Sequence, residues 1–525
     1  MVEPARASLV QAGEFGPYDA FADRAHQMYA DGYSDRAVAA CRAWVLVTTG
    51  AGDRATTQFL RYIEGIALQE VGRHHEAVTV ALDLLSDLED EPDPMWRAKA
   101  LALLAESSTQ VGDVSRAMDA LAEGVWLVSG ARQGRYSHVS ASVSVALALR
   151  AVSLFEQADE LMAGIQAGAG RYLNMGVGVA QERALLSAFW GTALLLIGDA
   201  RAAGPQLLAS AGRALRMRRV ATLAGDSEMA ARAEVIEAYA MSRLGYIALA
   251  AARVNGARGQ FQFRDELDET HLARLVLGEA ATQVGDYGEA RQHLGAAWEN
   301  AHRASRTVWA AAAKEAMADV EVAEHGPHPA VELWKRIARE ALVQVWVERE
   351  GRFTALQTRN QVRALTAETD RMGQAALLDP LTGLGNRRML AAIVDTAGDD
   401  LAAIFVDVDQ FKQVNDHYSH AVGDEVLRRI AHLLRANCRS EDVLVRYGGD
   451  EFLILMLGRG SAAEGLAVRV HGAVQSAPWG QVAHGLEITI SVGVGRPASG
   501  QGAIPAADSA LHAAKREGRN RVVAV

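Results

Sequence analysis

Two carboxylates stand side by side after a pair of glycines, in the run Arg446-Tyr447-Gly448-Gly449-Asp450-Glu451-Phe452. Apolar segments flank them, Val443 to Val445 before and Phe452 to Leu457 after, so the glycines predict a tight β-hairpin. Adjacent acids at a hairpin tip repel each other unless a cation neutralises them. A second acidic strand end lies upstream, in Ala403-Ile404-Phe405-Val406-Asp407-Val408-Asp409. Hard oxygens from two such strand ends are the donors that Mg²⁺ takes, with phosphate oxygens completing its shell. The chemistry within reach is that of a phosphorylated substrate.

An apolar strand ending in Asp, beside a hairpin tip bearing Asp-Glu, is how a palm-type nucleotidyl transferase holds its metal. The elements that must position these acids can be read in order. Strand Leu401 to Val408 precedes helix Asp424 to Asn437 and the hairpin Val443 to Leu457. Helix Ala462 to Gln475, strand Leu486 to Val494, helix Ala506 to Arg516 and strand Arg521 to Val525 come next. That order predicts an α+β domain, a ferredoxin-like or palm sheet with helices on one face.

The run Asp379-Pro380-Leu381-Thr382-Gly383-Leu384-Gly385-Asn386-Arg387-Arg388, with Asp407 to Asp424 and Arg446 to Phe452, resembles the GGDEF family of diguanylate cyclases. The likeness covers residues 379–525. It implies condensation of two GTP into cyclic di-GMP: the 3′-hydroxyl of one GTP attacks the α-phosphate of another, pyrophosphate leaves, and the step repeats in the opposite sense. It further implies Asp407 and Asp450, with the Val408 carbonyl, as ligands of Mg²⁺ (Mn²⁺ as a substitute). Glu451 would be a second-metal ligand or a supporting carboxylate, making Asp450 and Glu451 the catalytic pair.

Asn415 and Asp424 match the family's guanine-contacting positions, where a carboxylate accepts from N1–H and the exocyclic amine. The turn carrying Gln410, Phe411 and Lys412 offers backbone N–H groups and one cation to the phosphates. Lys515 and Arg519 match a triphosphate-contacting pair, and Gly448 and Gly449 also count as substrate-binding positions. His420 falls near ribose or base, although Ser419 stands where a glycine is usual. Arg439 and Asp442 match an RxxD site at which product inhibits, with Arg469 a candidate third member. Because one domain holds one GTP, two must face each other, which implies a homodimer.

Residues 19–345 carry a different pattern. A glycine interrupts an apolar helix and an alanine follows five residues later, as in Gly32 with Ala37, Gly72 with Ala77, Gly112 with Ala117, Gly198 with Ala203, Gly245 with Ala250 and Gly285 with Ala290. Ser153 with Ala158 is a variant, and Gly326 opens a looser eighth copy. The anchors are 40, 40, 41, 45, 47, 40 and 41 residues apart. A period of this size predicts stacked helical hairpins, an all-α solenoid. The local text resembles tetratricopeptide repeats with a longer period, implying a concave groove for a protein, a peptide or a small ligand. Trp96, Trp126, Trp190 and Trp298 either line that groove or, the favoured alternative, pack in the core.

Residues 346–378 are expected to form a connecting helix with a break near Gly351. A heptad can be laid through Ala355, Thr358, Val362, Leu365, Thr369 and Met372, so a parallel coiled coil and a solvated linker helix both remain open. Residues 1–18 are expected to be flexible. A chain of 525 residues should hold more than one domain, and its net charge of −11 argues against a nucleic-acid surface. Only Cys41 and Cys438 are present, the start Met1-Val2-Glu3-Pro4 lacks a signal pattern, and no long apolar run occurs. The expectation is a cytoplasmic protein without membrane insertion. Other readings are a catalytically silent receptor for GTP or cyclic di-GMP, and a scaffold in which the array is the purpose.

Overall fold

The structure, a computed structural model, describes residues 18–89, 93–131, 135–170, 173–261, 263–265, 267–394, 401–457, 462–496 and 502–525. The expectation for residues 1–18 falls outside them apart from Tyr18. Two compact units divide between Val362 and Arg363. Among the described residues no helix is long and apolar enough to cross a membrane.

In the first unit every repeat anchor has the left-handed backbone that stops a helix, with φ between 65° at Ser153 and 96° at Gly245. Helix Pro94–Gln110 thus turns at Gly112 into Val114–Ser129, and Asp268–Val284 turns at Gly285 into Tyr287–Arg303. Asp113, Asp199 and Asp286 start the second helices by accepting a backbone N–H at 2.9–3.0 Å. The alanines five residues past the anchors, from Ala37 to Ala290, are all fully buried. Their small side chains let neighbouring helices approach closely. Trp96, Trp190 and Trp298 are half-buried against these cores, Trp190 stacking on Phe155 with ring centres 5.9 Å apart.

The boundary expected at residue 345 lies within one continuous helix. Gly326 closes an eighth hairpin whose second arm is the continuous helix Pro329–Ala375. No break occurs at Gly351, because one glycine costs a helix only ~1 kcal/mol and packing on either side outweighs it. Trp346 stacks on Phe155, the Arg352 guanidinium donates to the Val152 carbonyl at 2.9 Å, and Leu356 is 4% exposed. Val362, Leu365 and Met372, on the heptad read from sequence, are exposed. Hairpins from the two ends of the array also meet. Arg306 donates to both Glu70 carboxylate oxygens at 2.6 Å, and His74 hydrogen-bonds Ser305 at 2.9 Å.

The second unit contains a five-stranded sheet. Its elements are α1 (Arg387–Val394), β1 (Leu401–Val408), α2 (Phe411–Tyr418), α3 (His420–Asn437), β2 (Val443–Arg446), β3 (Glu451–Leu457), α4 (Ala463–Gln475), β4 (Ile490–Gly495), α5 (Ala503–Arg516) and β5 (Val522–Ala524). The order is β2-β3-β1-β4-β5, with β1 antiparallel to both neighbours and β5 parallel to β4. Helices cover both faces, which corrects the expectation of one. Ile404 and Val406 pack under α3 and α4, whereas Ala403 and Phe405 face α1 and α5. The near-continuous apolar run of β1 is the signal for a strand buried on both sides. The segment expected to be only a turn after β1 forms the short helix α2.

Candidate active site

Alternation along β1 points Asp407 to the α5 face, at the end of the strand, where it is 7% exposed. The register pairs it with Glu451, the first residue of β3, and Val408 N–H donates to the Asp450 carbonyl at 3.2 Å. The acids of two separate motifs therefore share one sheet end. Lys515, near the end of α5, puts its ammonium 2.6 Å from the Asp407 carboxylate. Burial pushes the Asp407 carboxyl up to about 6; Lys515 opposes this, while Asp450 and Glu451 push it further.

No three described His, Cys, Asp or Glu side chains converge as a complete metal cage. Mg²⁺ needs no such cage, since it usually takes one or two protein carboxylates plus substrate phosphates. Asp407, Asp450, Glu451 and the Val408 carbonyl are hard oxygen donors that the pairing of β1 with β3 gathers at one sheet end. The donor set fits a hard divalent cation completed by a nucleotide.

The reach of Lys515 depends on two glycines of β4. A Cβ at Gly493 would lie 2.2 Å from the Ala507 carbonyl oxygen, and one at Gly495 would lie 2.2 Å from the Ala507 amide nitrogen. Without side chains there, α5 rests directly on β4. Asp409 is a positioning residue that sequence reasoning passed over. Its buried carboxylate accepts from Thr489 Oγ1 at 2.8 Å, Ser491 Oγ at 2.6 Å and the Asn520 amide at 3.0 Å. One side chain thus ties the end of β1 to β4 and to the turn carrying Arg519, which has φ 60°. The sequence signal was an acid at a strand end with Thr489 and Ser491 two residues apart about the start of β4.

Gln410 takes φ 55°, turning the chain sharply from β1 into α2, and it and Lys412 are exposed. The helices α2 and α3 form a small hairpin through Ser419, which has φ 130° and caps the Val422 amide at 3.4 Å. Asn415 and Asp424 are half-buried, and a Cβ at Gly423 would lie 2.0 Å from Asn415 Oδ1. The glycine before Asp424 therefore lets Asn415 come beside it. His420 is exposed at the start of α3.

The Gly448-Gly449 turn is held from behind. Arg446 reaches both Asp379 carboxylate oxygens at 3.2 Å and the Gly449 carbonyl at 2.7 Å, and Arg387 donates to the Tyr447 carbonyl at 2.5 Å. Burial works against the ionised Asp379, but Thr382 and Arg446 outweigh it and hold the carboxyl below its usual range. Arg387, Arg388, Asn386 and Arg446 line a cleft of roughly 440 Å³ beside this turn. The RxxD segment is apart from the acids. The Arg439 amide donates to Asp442 at 2.9 Å, its guanidinium is exposed, and Arg469 is exposed on α4. Both Asp442 and Arg469 act electrostatically on Cys438 between them.

Residues 376–521 match the family model described as diguanylate cyclase, GGDEF domain. The response regulator PleD of Caulobacter vibrioides is 38% identical over 186 residues, covering 32% of this chain and 40% of its own length. Diguanylate cyclase DgcP of Pseudomonas aeruginosa is 35% identical over 192 residues, or 33% of this chain and 28% of its own. The chain thus spans less than half the length of these curated relatives. The crystal structure of diguanylate cyclase SiaD in complex with its activator SiaC, from Pseudomonas aeruginosa, is 32% identical. It covers 38% of this chain and 92% of that one, with a TM-score of 0.27.

Proposed function

We propose, from the premise of a C-terminal α+β GGDEF domain, that this protein is a diguanylate cyclase condensing two GTP into cyclic di-GMP and two pyrophosphates. The observation that carries the reading is the meeting of Asp407, Asp450 and Glu451 at one sheet end under the Lys515 ammonium. Asn415 and Asp424 hold guanine, their donors and acceptors matching its edge. Lys515, Arg519 and the amides of the turn from Gln410 through Phe411 to Lys412 hold the triphosphate, a layout that suits anions. His420 lies beside the nucleoside, and Gly448 and Gly449 let phosphate approach the backbone.

Asp407, Asp450, Glu451 and the Val408 carbonyl would hold Mg²⁺ or Mn²⁺, which supplies charge neutralisation at the triphosphate. Asp450 and Glu451 orient the reacting groups. Since one domain holds one GTP, the working enzyme is a homodimer in which two domains face each other. Product returns to Arg439, Asp442 and Arg469 and inhibits. The helical hairpins form a tetratricopeptide-like array that takes an unidentified protein, peptide or small ligand, in the cytoplasm.

Purified protein incubated with GTP and Mg²⁺ should yield cyclic di-GMP and pyrophosphate, identified by mass. Asp450→Ala should abolish turnover while leaving the circular dichroism spectrum unchanged. Absence of product from a well-folded, dimeric wild type would overturn the reading.

A further inference from the structure

The first helices of several hairpins bring charged side chains to one interior of the array. Glu70 comes from helix Arg54–Glu70, Glu106 from Pro94–Gln110, Glu182 from Leu173–Leu196 and Asp268 from Asp268–Val284. These four carboxylates, with Glu269 acting on Glu182 beside them, share the surroundings of two guanidiniums, those of Arg150 and Arg306. Arg306 pairs with Glu70 at 2.6 Å and with Asp268 at 3.5 Å, and Arg150 reaches Glu182 at 3.5 Å. The residues are enclosed by protein yet touch water, the side chains of Glu182 and Glu70 keeping 25% and 17% of their surface. A polar concavity has that character, and a solid core does not.

Two observations point from this cluster to a ligand. His271, one turn after Asp268 and acting electrostatically on the same groups, is 0% exposed, and neither ring nitrogen has a hydrogen-bond partner. Burial pushes the imidazole down to about 4, so it is neutral and keeps one acceptor nitrogen. Glu182 Oε2 makes no hydrogen bond, the Arg150 guanidinium lying 3.5 Å from it, and burial pushes its carboxyl up to about 7, with Asp268 and Glu269 pushing the same way. Dispersed acids suit an elongated molecule with separated charges.

We propose that this interior of the array binds a small aliphatic diamine, its ammonium groups answering the excess of carboxylates over guanidiniums among Glu70, Glu106, Glu182, Asp268 and Glu269. The inference rests on reading the array as the ligand-taking part of the enzyme, and it deepens that reading by naming the ligand class. Ammonium N–H groups would donate to Glu182 and to the acceptor nitrogen of His271. Binding beside Arg306 would act where hairpins from the two ends of the array meet.

The test is calorimetric titration of the full-length protein with 1,4-diaminobutane, with thermal unfolding to verify that each variant folds. Wild type should bind saturably. Glu182→Gln and Glu106→Gln, both isosteric, should each weaken binding about tenfold or more, the loss of one charge-assisted contact. Glu160→Gln, on an exposed position of the outer helix Phe155–Ala169, should leave binding unchanged. Equal affinity in all three variants would reveal general attraction to an acidic protein and overturn the proposal. So would absence of saturable binding, or binding of Mg²⁺ or Ca²⁺ alone with the same dependence on Glu182. GTP turnover is assayed separately: a working cyclase that ignores the diamine sinks this inference alone. A protein that binds the diamine without making cyclic di-GMP sinks the cyclase assignment and keeps the site.

Discussion

Lys515, on α5, lies 2.6 Å from Asp407, at the end of β1, and this ion pair joins α5 to the strand whose register sets Asp407 opposite Glu451. The ammonium lowers the charge density where a triphosphate would arrive. Lys515→Met should therefore weaken GTP binding about tenfold, as for a charge-assisted contact worth ~1.5–3 kcal/mol. Fluorescent GTP titration checks it, with circular dichroism as the control for folding. Unchanged affinity would leave Lys515 a structural partner of Asp407 only.

Gly493 is the means by which α5 comes close enough for that pair. Alanine there would put Cβ 2.2 Å from the Ala507 carbonyl oxygen, backbone that cannot swing aside. Gly493→Ala should destabilise the second unit by ~1–3 kcal/mol through overpacking, read by denaturant unfolding. A loss of turnover greater than the loss of folded protein is expected as α5 shifts. A variant as stable as wild type would show that α5 is not tightly seated.

The proposed base pocket is tested at Asp424, half-buried beside Asn415. Asp424→Ser removes the acceptor for guanine N1–H and the exocyclic amine. Discrimination of GTP against ATP should fall, measured as the ratio of kcat/KM values. An unaltered ratio removes Asp424 from the base pocket.

Product control is tested at Arg439, whose exposed guanidinium stands 3.7 Å from the exposed Glu441 carboxylate. Arg439→Ala should weaken cyclic di-GMP binding about tenfold or more, again one charge-assisted contact. If added product inhibits both proteins alike, the inhibitory site lies elsewhere.

The exposed heptad residues Val362, Leu365 and Met372 stand on the continuous helix Pro329–Ala375. Two residues inserted after Leu365 would rotate the C-terminal part of the chain by ~200° at 3.6 residues per turn, whereas a seven-residue insertion restores the phase to within ~20°. Cyclase activity should change severely in the first variant and mildly in the second. Wild-type rates in both would make the helix a passive tether.

Much of this molecule is determined locally and could be read from sequence. The left-handed turns from Gly32 to Gly326, the bounds of β1 and the hairpin around Gly448-Gly449 depend on residues a few positions apart. So do the types of the site residues, since a carboxylate, an amide or an ammonium keeps its chemistry wherever it is placed. Tertiary structure alone decided the rest. Helices on both faces of the sheet, the three hydrogen bonds of Asp409 and the seating of α5 on Gly493 involve partners distant along the chain. The uninterrupted helix through Gly351 is the same kind of fact: local propensity argues for a break there, and contacts with Phe155, Val152 and their neighbours overrule it. The pairing of Arg306 with Glu70 joins hairpins from opposite ends of the array. Sequence spacing cannot report it, because the two partners stand 236 residues apart in the chain.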